Sequence, residues 1–384
     1  MVKVFVRARF FWVVAIQTAI VNFYLGGFGP AQSLLRVDQG TSLTVAGLHG
    51  TAMGVAAIAA GYAYPHFAHR FGRTRSGWIG LTIFSIGLII FVISPPVYLT
   101  LPATLITGFG TSIVINAMLT SMSHHYGKAA EVAIPKANGI SSIGYVTGTA
   151  LIGTIAIIFP SLWRMGLLLA IPVAIAVFVL GRDKTADDHV PDTDGPQSGK
   201  LSRVFWISWV GFVACISSEF AVSFWAAALL KDRVGSNAAI STTAVAAIGF
   251  GMIIGRWYGT GILKRFALDG QLLIAITTHF VGFIFFWFSH SMIISLISLF
   301  TIGLGVSTQF ALAAIRLISF SNGRPDLAIG KTSLGAGVAI ATAPFILGVF
   351  GDHFGISRAY IMVPVLIAIS FAIVKFIPSN PVEA

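Results

Sequence analysis

The sequence predicts an all-α integral membrane protein of twelve transmembrane helices, built as two six-helix bundles related by a parallel repeat. Composition is the first observation behind this. The 384-residue chain is 56% hydrophobic and 10% charged, with a mean hydropathy of +0.88, whereas soluble domains average about 25% charged residues. The second is the recurrence of apolar runs near the ~20 residues that cross a bilayer. The third is internal repetition at an offset of 195 residues. His69-Arg70-Phe71 matches Lys264-Arg265-Phe266, Gly108-Phe109-Gly110 matches Gly303-Leu304-Gly305, Lys136 matches Lys331, and Gly153 matches Gly348.

The runs fall, in order, at about 10–35, 44–65, 76–94, 98–121, 137–159 and 162–181, and then at about 204–230, 239–263, 270–289, 292–320, 329–350 and 357–377. The first follows Lys3, Arg7 and Arg9 and is too long for the core of a signal peptide, so it reads as an uncleaved first helix. Between the sixth and seventh lies GRDKTADDHVPDTDGPQSGKLSR, polar and rich in Asp, Pro and Gly, with no apolar period. It reads as a disordered cytoplasmic linker. The expected division is therefore residues 1–181, a linker at 182–203, and residues 204–384. An even number of helices per half leaves both halves in the same orientation, which makes the repeat parallel.

The formal net charge of +11 does not point to nucleic acid, because the cations sit in short loops between apolar spans. Lipid headgroups and membrane orientation account for them. With the N-terminus inside, eighteen Lys and Arg fall on the cytoplasmic side and five outside, and Arg256 is left within a span. The expected location is a cell (inner) membrane with both termini cytoplasmic. A lone cysteine, Cys215, lies inside a span and excludes an intramolecular disulfide. No ligand spacing supports a metal, no cofactor is implied, and a monomer is expected.

The stretch Ser208 to Leu230 holds the most informative residue. Glu219 is a carboxylate far from either end of an apolar helix, where an acid costs about 2.5–3.5 kcal/mol on insertion scales. Ser208, Cys215, Glu219 and Ser223 share one helical face, and Trp225 lies about 120° round from it. Glu219 reads either as a protonatable group facing a water-filled cavity or as a protonated acid in a helix–helix hydrogen bond.

The loop after helix 2 reads Pro65-His66-Phe67-Ala68-His69-Arg70-Phe71-Gly72-Arg73-Thr74-Arg75. It resembles the signature G-x-x-x-D-R-x-G-R-R/K of the major facilitator superfamily. Arg70, Gly72 and Arg73 match, while Pro65 and His69 stand where that signature has Gly and Asp. The resemblance implies that this loop latches two bundles together. Glu219 with Trp225, Gly255-Arg256 leading to Lys264-Arg265-Phe266, and Ala137-Asn138 resemble the fucose:proton symporter group and related bacterial permeases. That group carries acids in helices 1 and 4, and this chain has none there. The Gly-Pro pair of drug:proton antiporters is also missing between Gly139 and Gly153.

The resemblance further implies that helices 1, 4, 7 and 10 line a cavity. Those helices offer Gln17, Asn22 and Tyr24, then Asn116, then Glu219 and Trp225, then Gln309. Amides, hydroxyls and aromatic walls suit a neutral hydrogen-bonding ligand, and interhelical bonding would use the same residues. Arg256 lies roughly 10 Å from the cytoplasmic end of helix 8 and Glu219 roughly 22 Å from that end of helix 7. An ion pair between them would need a broken helix or a bridging water, so Arg256 and Arg316 read as cytoplasmic gate contacts, with Arg70, Arg73, Lys264 and Arg265, or as snorkelling side chains, with binding of a substrate anion as the alternative. The expected function is secondary active transport by alternating access, proton-coupled, of a small neutral polar solute such as a sugar. The alternatives are drug or metabolite efflux and a transport-dead membrane sensor. No nucleophile–base or metal constellation suggests an enzyme.

Overall fold

The structure is a computed structural model that describes residues 7–181 and 199–379. Among the described residues, twelve helices are long and apolar enough to cross a membrane. In the first half they are helix 1 (Arg9–Phe28), helix 2 (Leu43–Phe71), helix 3 (Arg73–Ile93), helix 4 (Val97–Tyr126), helix 5 (Val132–Ile158) and helix 6 (Trp163–Gly181). In the second half they are helix 7 (Arg203–Val234), helix 8 (Ala238–Gly259), helix 9 (Leu268–Phe288), helix 10 (Met292–Ser319), helix 11 (Leu327–Phe354) and helix 12 (Ile356–Phe376). Twelve crossings place both chain ends on one face, called here the termini face. Most of the expected linker, residues 182–198, lies outside the described residues. The chain re-enters helix 7 at Ser202, whose hydroxyl accepts the Phe205 N–H at 3.1 Å as an N-cap.

Several boundaries differ from the apolar runs. Helix 1 stops at Phe28 instead of continuing to about residue 35, and a short helix, Gln32–Gln39, follows. Pro30 has no N–H to continue the backbone ladder, while Gly29 itself stays in the right-handed region at φ −58°, ψ −60°. The short helix ends at Gly40, whose φ of 60° is the left-handed conformation that glycine adopts at little cost. Helix 5 begins five residues before its apolar run, because a helix end is set by backbone bonding and not by hydropathy.

The internal repeat reappears as packing. Within the first half helix 1 packs on helices 5 and 6, helix 4 on helices 2 and 3; within the second half helix 7 packs on helices 11 and 12, helix 10 on helices 8 and 9. The match extends to single atoms. A Cβ on Gly110 would stand 2.3 Å from the Phe84 N atom and 2.6 Å from the Gly80 carbonyl oxygen. A Cβ on Gly305 would stand 2.5 Å from His279 N and 2.8 Å from the Ala275 carbonyl oxygen. Each of these residues is the 195-offset counterpart of the other. The same holds for Gly108 against Met53 and Ala56, and Gly303 against Ile248 and Gly251. Membrane helices gain little from apolar burial against one another, so close backbone approach at glycine supplies the packing.

The halves meet along helix 2 against helix 11 and helix 5 against helix 8. Their bridging hydrogen bonds lie at several depths, and one group sits away from the termini face. The Asp352 carboxylate accepts the backbone N–H groups of Leu43 (2.9 Å) and Thr44 (2.7 Å) and the Thr44 hydroxyl (2.6 Å). Thr242 donates to the Pro30 carbonyl at 3.3 Å, and Phe28 meets Phe224 edge-on at 6.3 Å between centroids. Thr51 donates to the Ala341 carbonyl at 2.8 Å nearer the middle. Towards the termini face helices 2 and 11 diverge. A Cβ on Gly61 would be 3.9 Å from Ser333, against 2.3 Å for Gly54 and Ala341. Helices 2 and 11 close the face opposite the termini, while helices 5 and 8 stay in contact nearer the termini face, where a Cβ on Gly139 would lie 2.0 Å from the Trp257 ring nitrogen and Arg256 bonds to Asn138 and Ser142.

Candidate functional site

Helix 7 carries Glu219 about 24 Å from its start at 1.5 Å per residue, near mid-membrane. The helix is continuous through this point, since Ser223 donates to the Glu219 backbone carbonyl at 2.9 Å. The side chain is half-buried. Its carboxylate makes no hydrogen bond and no ion pair with any other described residue. An acid at this depth with no protein partner must meet water, a solute or a proton.

The cation that faces it is Arg256. Helix 8 is α-helical to Ile254 and then makes a π turn over Gly255–Gly259, a local widening often found at functional sites. Gly255 lets helix 8 press on helix 10, because a Cβ there would lie 2.1 Å from the Ser307 hydroxyl. From this turn the guanidinium reaches across to the other half. Its Nη1 donates to the Asn138 carbonyl at 3.1 Å and to the Ser142 hydroxyl at 2.6 Å, and its Nε donates to the Ser307 carbonyl at 3.4 Å. The depth estimate for the two charges thus holds in part. There is no direct ion pair between them among the described residues, yet each lies in the electrostatic field of the other.

Helix 5 completes the cluster. Asn138, Ser142 and Tyr145 follow at steps of four and three, one helical face. The Tyr145 hydroxyl is buried with no partner among the described residues and lies in the field of Glu219. Sequence reading noticed only Asn138 here. The polar stripe 138–142–145–149 on an otherwise apolar helix is the signal that marks this face.

Other expected site residues take different positions. Gln17 is buried against helix 3, its Oε1 3.2 Å from where a Cβ on Gly77 would stand. Tyr24 is fully buried, stacked on Phe28 at 5.0 Å and edge-on to Phe84 at 5.6 Å. Trp225 is fully buried and donates to the Pro344 carbonyl at 2.8 Å. Gln309 is buried between Cys215, whose thiol donates to it at 3.3 Å, and the Ala275 carbonyl at 3.1 Å. These four are engaged in helix packing and are not brought to the Glu219 cluster. Asn22 and Asn116 are half-buried. The Asn22 amide donates to Thr18 at 3.0 Å.

Among the expected gating residues, Gly72 has a φ of 85° and turns the chain between helices 2 and 3. Arg70 lies over the Phe71 ring at 5.5 Å and Arg265 over Phe266 at 5.4 Å, the same local contact in each half. Lys264 is exposed and Arg73 half-buried. Arg316 is not at a gate in this structure. It pairs with Asp269 at 2.9 Å and donates to the carbonyls of Ile373 and Ile377, tying helices 9, 10 and 12 together.

The family pattern described as Major Facilitator Superfamily matches residues 14–322. The chain belongs to the major facilitator superfamily. Solved structures similar to this superfamily member include nucleoside transporter NupG, with 12% identity and a TM-score of 0.72 over 97% of this chain and 99% of that one. A mutant of the same transporter gives 12% identity and a TM-score of 0.74 over 95% and 98%. At that identity the likeness speaks for the fold. No curated protein matches the sequence. Membership makes the chain a multi-pass membrane transporter acting on a small molecule.

The repeat also shows where this superfamily member departs from its own symmetry. Glu219 corresponds to Tyr24, and Arg256 to Gly61. Both charges of the cluster belong to the second half, and their first-half counterparts are a packed ring and a glycine. The scaffold is repeated and the chemistry is not.

Proposed function

We propose that this protein is a proton-coupled secondary transporter of a small neutral polar solute, working by alternating access between residues 1–181 and 204–384, joined by the segment at 182–203. Glu219 is the proton-carrying group, with a solute site formed by Glu219, Arg256, Tyr145 and the half-buried Asn116. The observation that carries the reading is the Glu219 carboxylate, deep in helix 7 and unpartnered among the described residues, facing an arginine that bonds across the interface. Protonation changes the charge that Arg256 and the solute meet, and a gradient acts through that difference in affinity. The charge bias makes the termini face cytoplasmic, so the structure represents the carrier closed to the outside. The protein works as a monomer in the cell membrane, in contact with lipid. A cysteine at position 198 should react with impermeant reagent only from the cytoplasmic side, and reaction from outside alone overturns the orientation.

Glu219→Gln keeps size and one hydrogen-bonding pattern while abolishing titration. The variant should lose gradient-driven accumulation in proteoliposomes but keep exchange of the same solute. Wild-type accumulation by the variant would place the coupling group elsewhere or make the protein a uniporter.

A further inference from the structure

The guanidinium of Arg256 is committed unevenly, and this has a consequence for what it can bind. Arginine has five N–H donors, arranged as two forks that both include Nη2: one with Nη1, one with Nε. Here Nη1 spends both hydrogens on Asn138 and Ser142, and Nε is turned to Ser307. Nη2 makes no hydrogen bond with a described residue and is not among the buried unpaired atoms, and the side chain is half-buried. Each fork therefore has one prong already taken by protein. Carboxylates and phosphates bind arginine best through two parallel N–H bonds, and neither fork can offer them without breaking a contact to helix 5 or helix 10. What remains is a pair of hydrogens on one nitrogen, suited to a single carbonyl or hydroxyl oxygen. Glu219 adds to the discrimination. Its carboxylate accepts from hydroxyl or N–H groups and repels anions, and the buried Tyr145 hydroxyl is a third group with no partner among the described residues.

We propose that Arg256 is a specificity-determining residue: through Nη2 it binds one uncharged acceptor oxygen of the solute, and it rejects carboxylates and phosphates because the protein occupies both forks. Asn138, Ser142 and Ser307 are positioning residues for it. The solute is then an uncharged molecule with a donor edge for Glu219 and a carbonyl or hydroxyl acceptor for Arg256. This deepens the transport reading above and rests on it.

The test is equilibrium binding by the purified full-length protein, read as ligand-dependent thermal stabilisation. The probes are matched pairs that differ in an acid group: D-galactose and D-galacturonate, uridine and uridine 5′-monophosphate, nicotinamide and nicotinate. At least one uncharged member should bind, at least about tenfold more tightly than its acid partner. Arg256→Lys, which keeps the charge but not the planar fork, should lose at least about tenfold in affinity for that member. An acid that binds as well as its uncharged partner overturns the assignment. So does a panel in which no uncharged member binds, or an Arg256→Lys protein with wild-type affinity. The wild-type comparison needs no variant to fold. It is made without a gradient, so its outcome is independent of whether Glu219→Gln abolishes accumulation.

Discussion

Replacing Asp352 with alanine should move the carrier off the conformation described here. Asp352 sits at the end of helix 11 and accepts the first two backbone N–H groups of helix 2, together with the Thr44 hydroxyl. Helix 2 is capped by Ser42, which accepts the Val45 N–H at 3.2 Å, and Asp352 adds a second cap supplied by the other half of the molecule. The Leu43 and Thr44 N–H groups have no partner within their own helix, and they can meet Asp352 only while the halves touch on this face. Hydrogen bonds to a charged acceptor are worth about 1.5–3 kcal/mol each when protected, and loss of a helix cap costs about 0.5–2 kcal/mol. The carboxylate is exposed, which argues for the lower end, about 1–2 kcal/mol in all. The ratio of conformers should shift by about 5–30-fold towards opening of this face. Spin labels at Val37 and Phe354, both exposed, would report the change as a longer component in the distance distribution. Asp232→Ala is the control, since Asp232 bonds to Ser357 within the second half. An unchanged distribution for Asp352→Ala, or an equal shift for the control, would refute the reasoning.

Two further substitutions test the scaffold. Gly110→Ala and Gly305→Ala place a Cβ within 2.3 and 2.5 Å of backbone nitrogen in the facing helix, so both should lower stability by about 1–3 kcal/mol and by similar amounts. Gly330→Ala, with open space around its Cβ position, should be neutral or slightly stabilising; thermal unfolding in detergent measures all three, and a harmless alanine at either packed site would contradict the repeat contact. Arg316→Gln removes the ion-pair partner of Asp269, leaving its carboxylate only the Ser379 N–H at 2.6 Å, and should cost about 2–3 kcal/mol. Adding Asp269→Asn should recover part of the lost melting temperature, and no recovery would mean that the carbonyl contacts of Arg316 dominate.

Much of this protein was legible in its residues because the bilayer imposes a simple rule. Every backbone polar group must be satisfied inside the lipid, so an apolar run of sufficient length can only be a helix, and counting runs yields twelve. The 195-residue offset was likewise readable, since close helix packing tolerates little but glycine at Gly108, Gly110, Gly303 and Gly305. Glu219 stood out because a mid-membrane carboxylate is expensive. Sequence could not say which polar residues on helices 1, 7 and 10 turn inward, because a hydroxyl or amide on an apolar helix looks the same facing a cavity or a neighbour. Tyr24, Trp225 and Gln309 proved to be packing residues once their neighbours were in place. Arg256 reached the Glu219 cluster through a π turn, and a one-residue change in helical pitch leaves no trace in hydropathy. Asp352 became an inter-half cap only when two helix ends about three hundred residues apart in sequence met in space. Periodicity and composition act along the chain and are read from it. Contacts across the interface depend on how two bundles dock, and that only the tertiary structure decides.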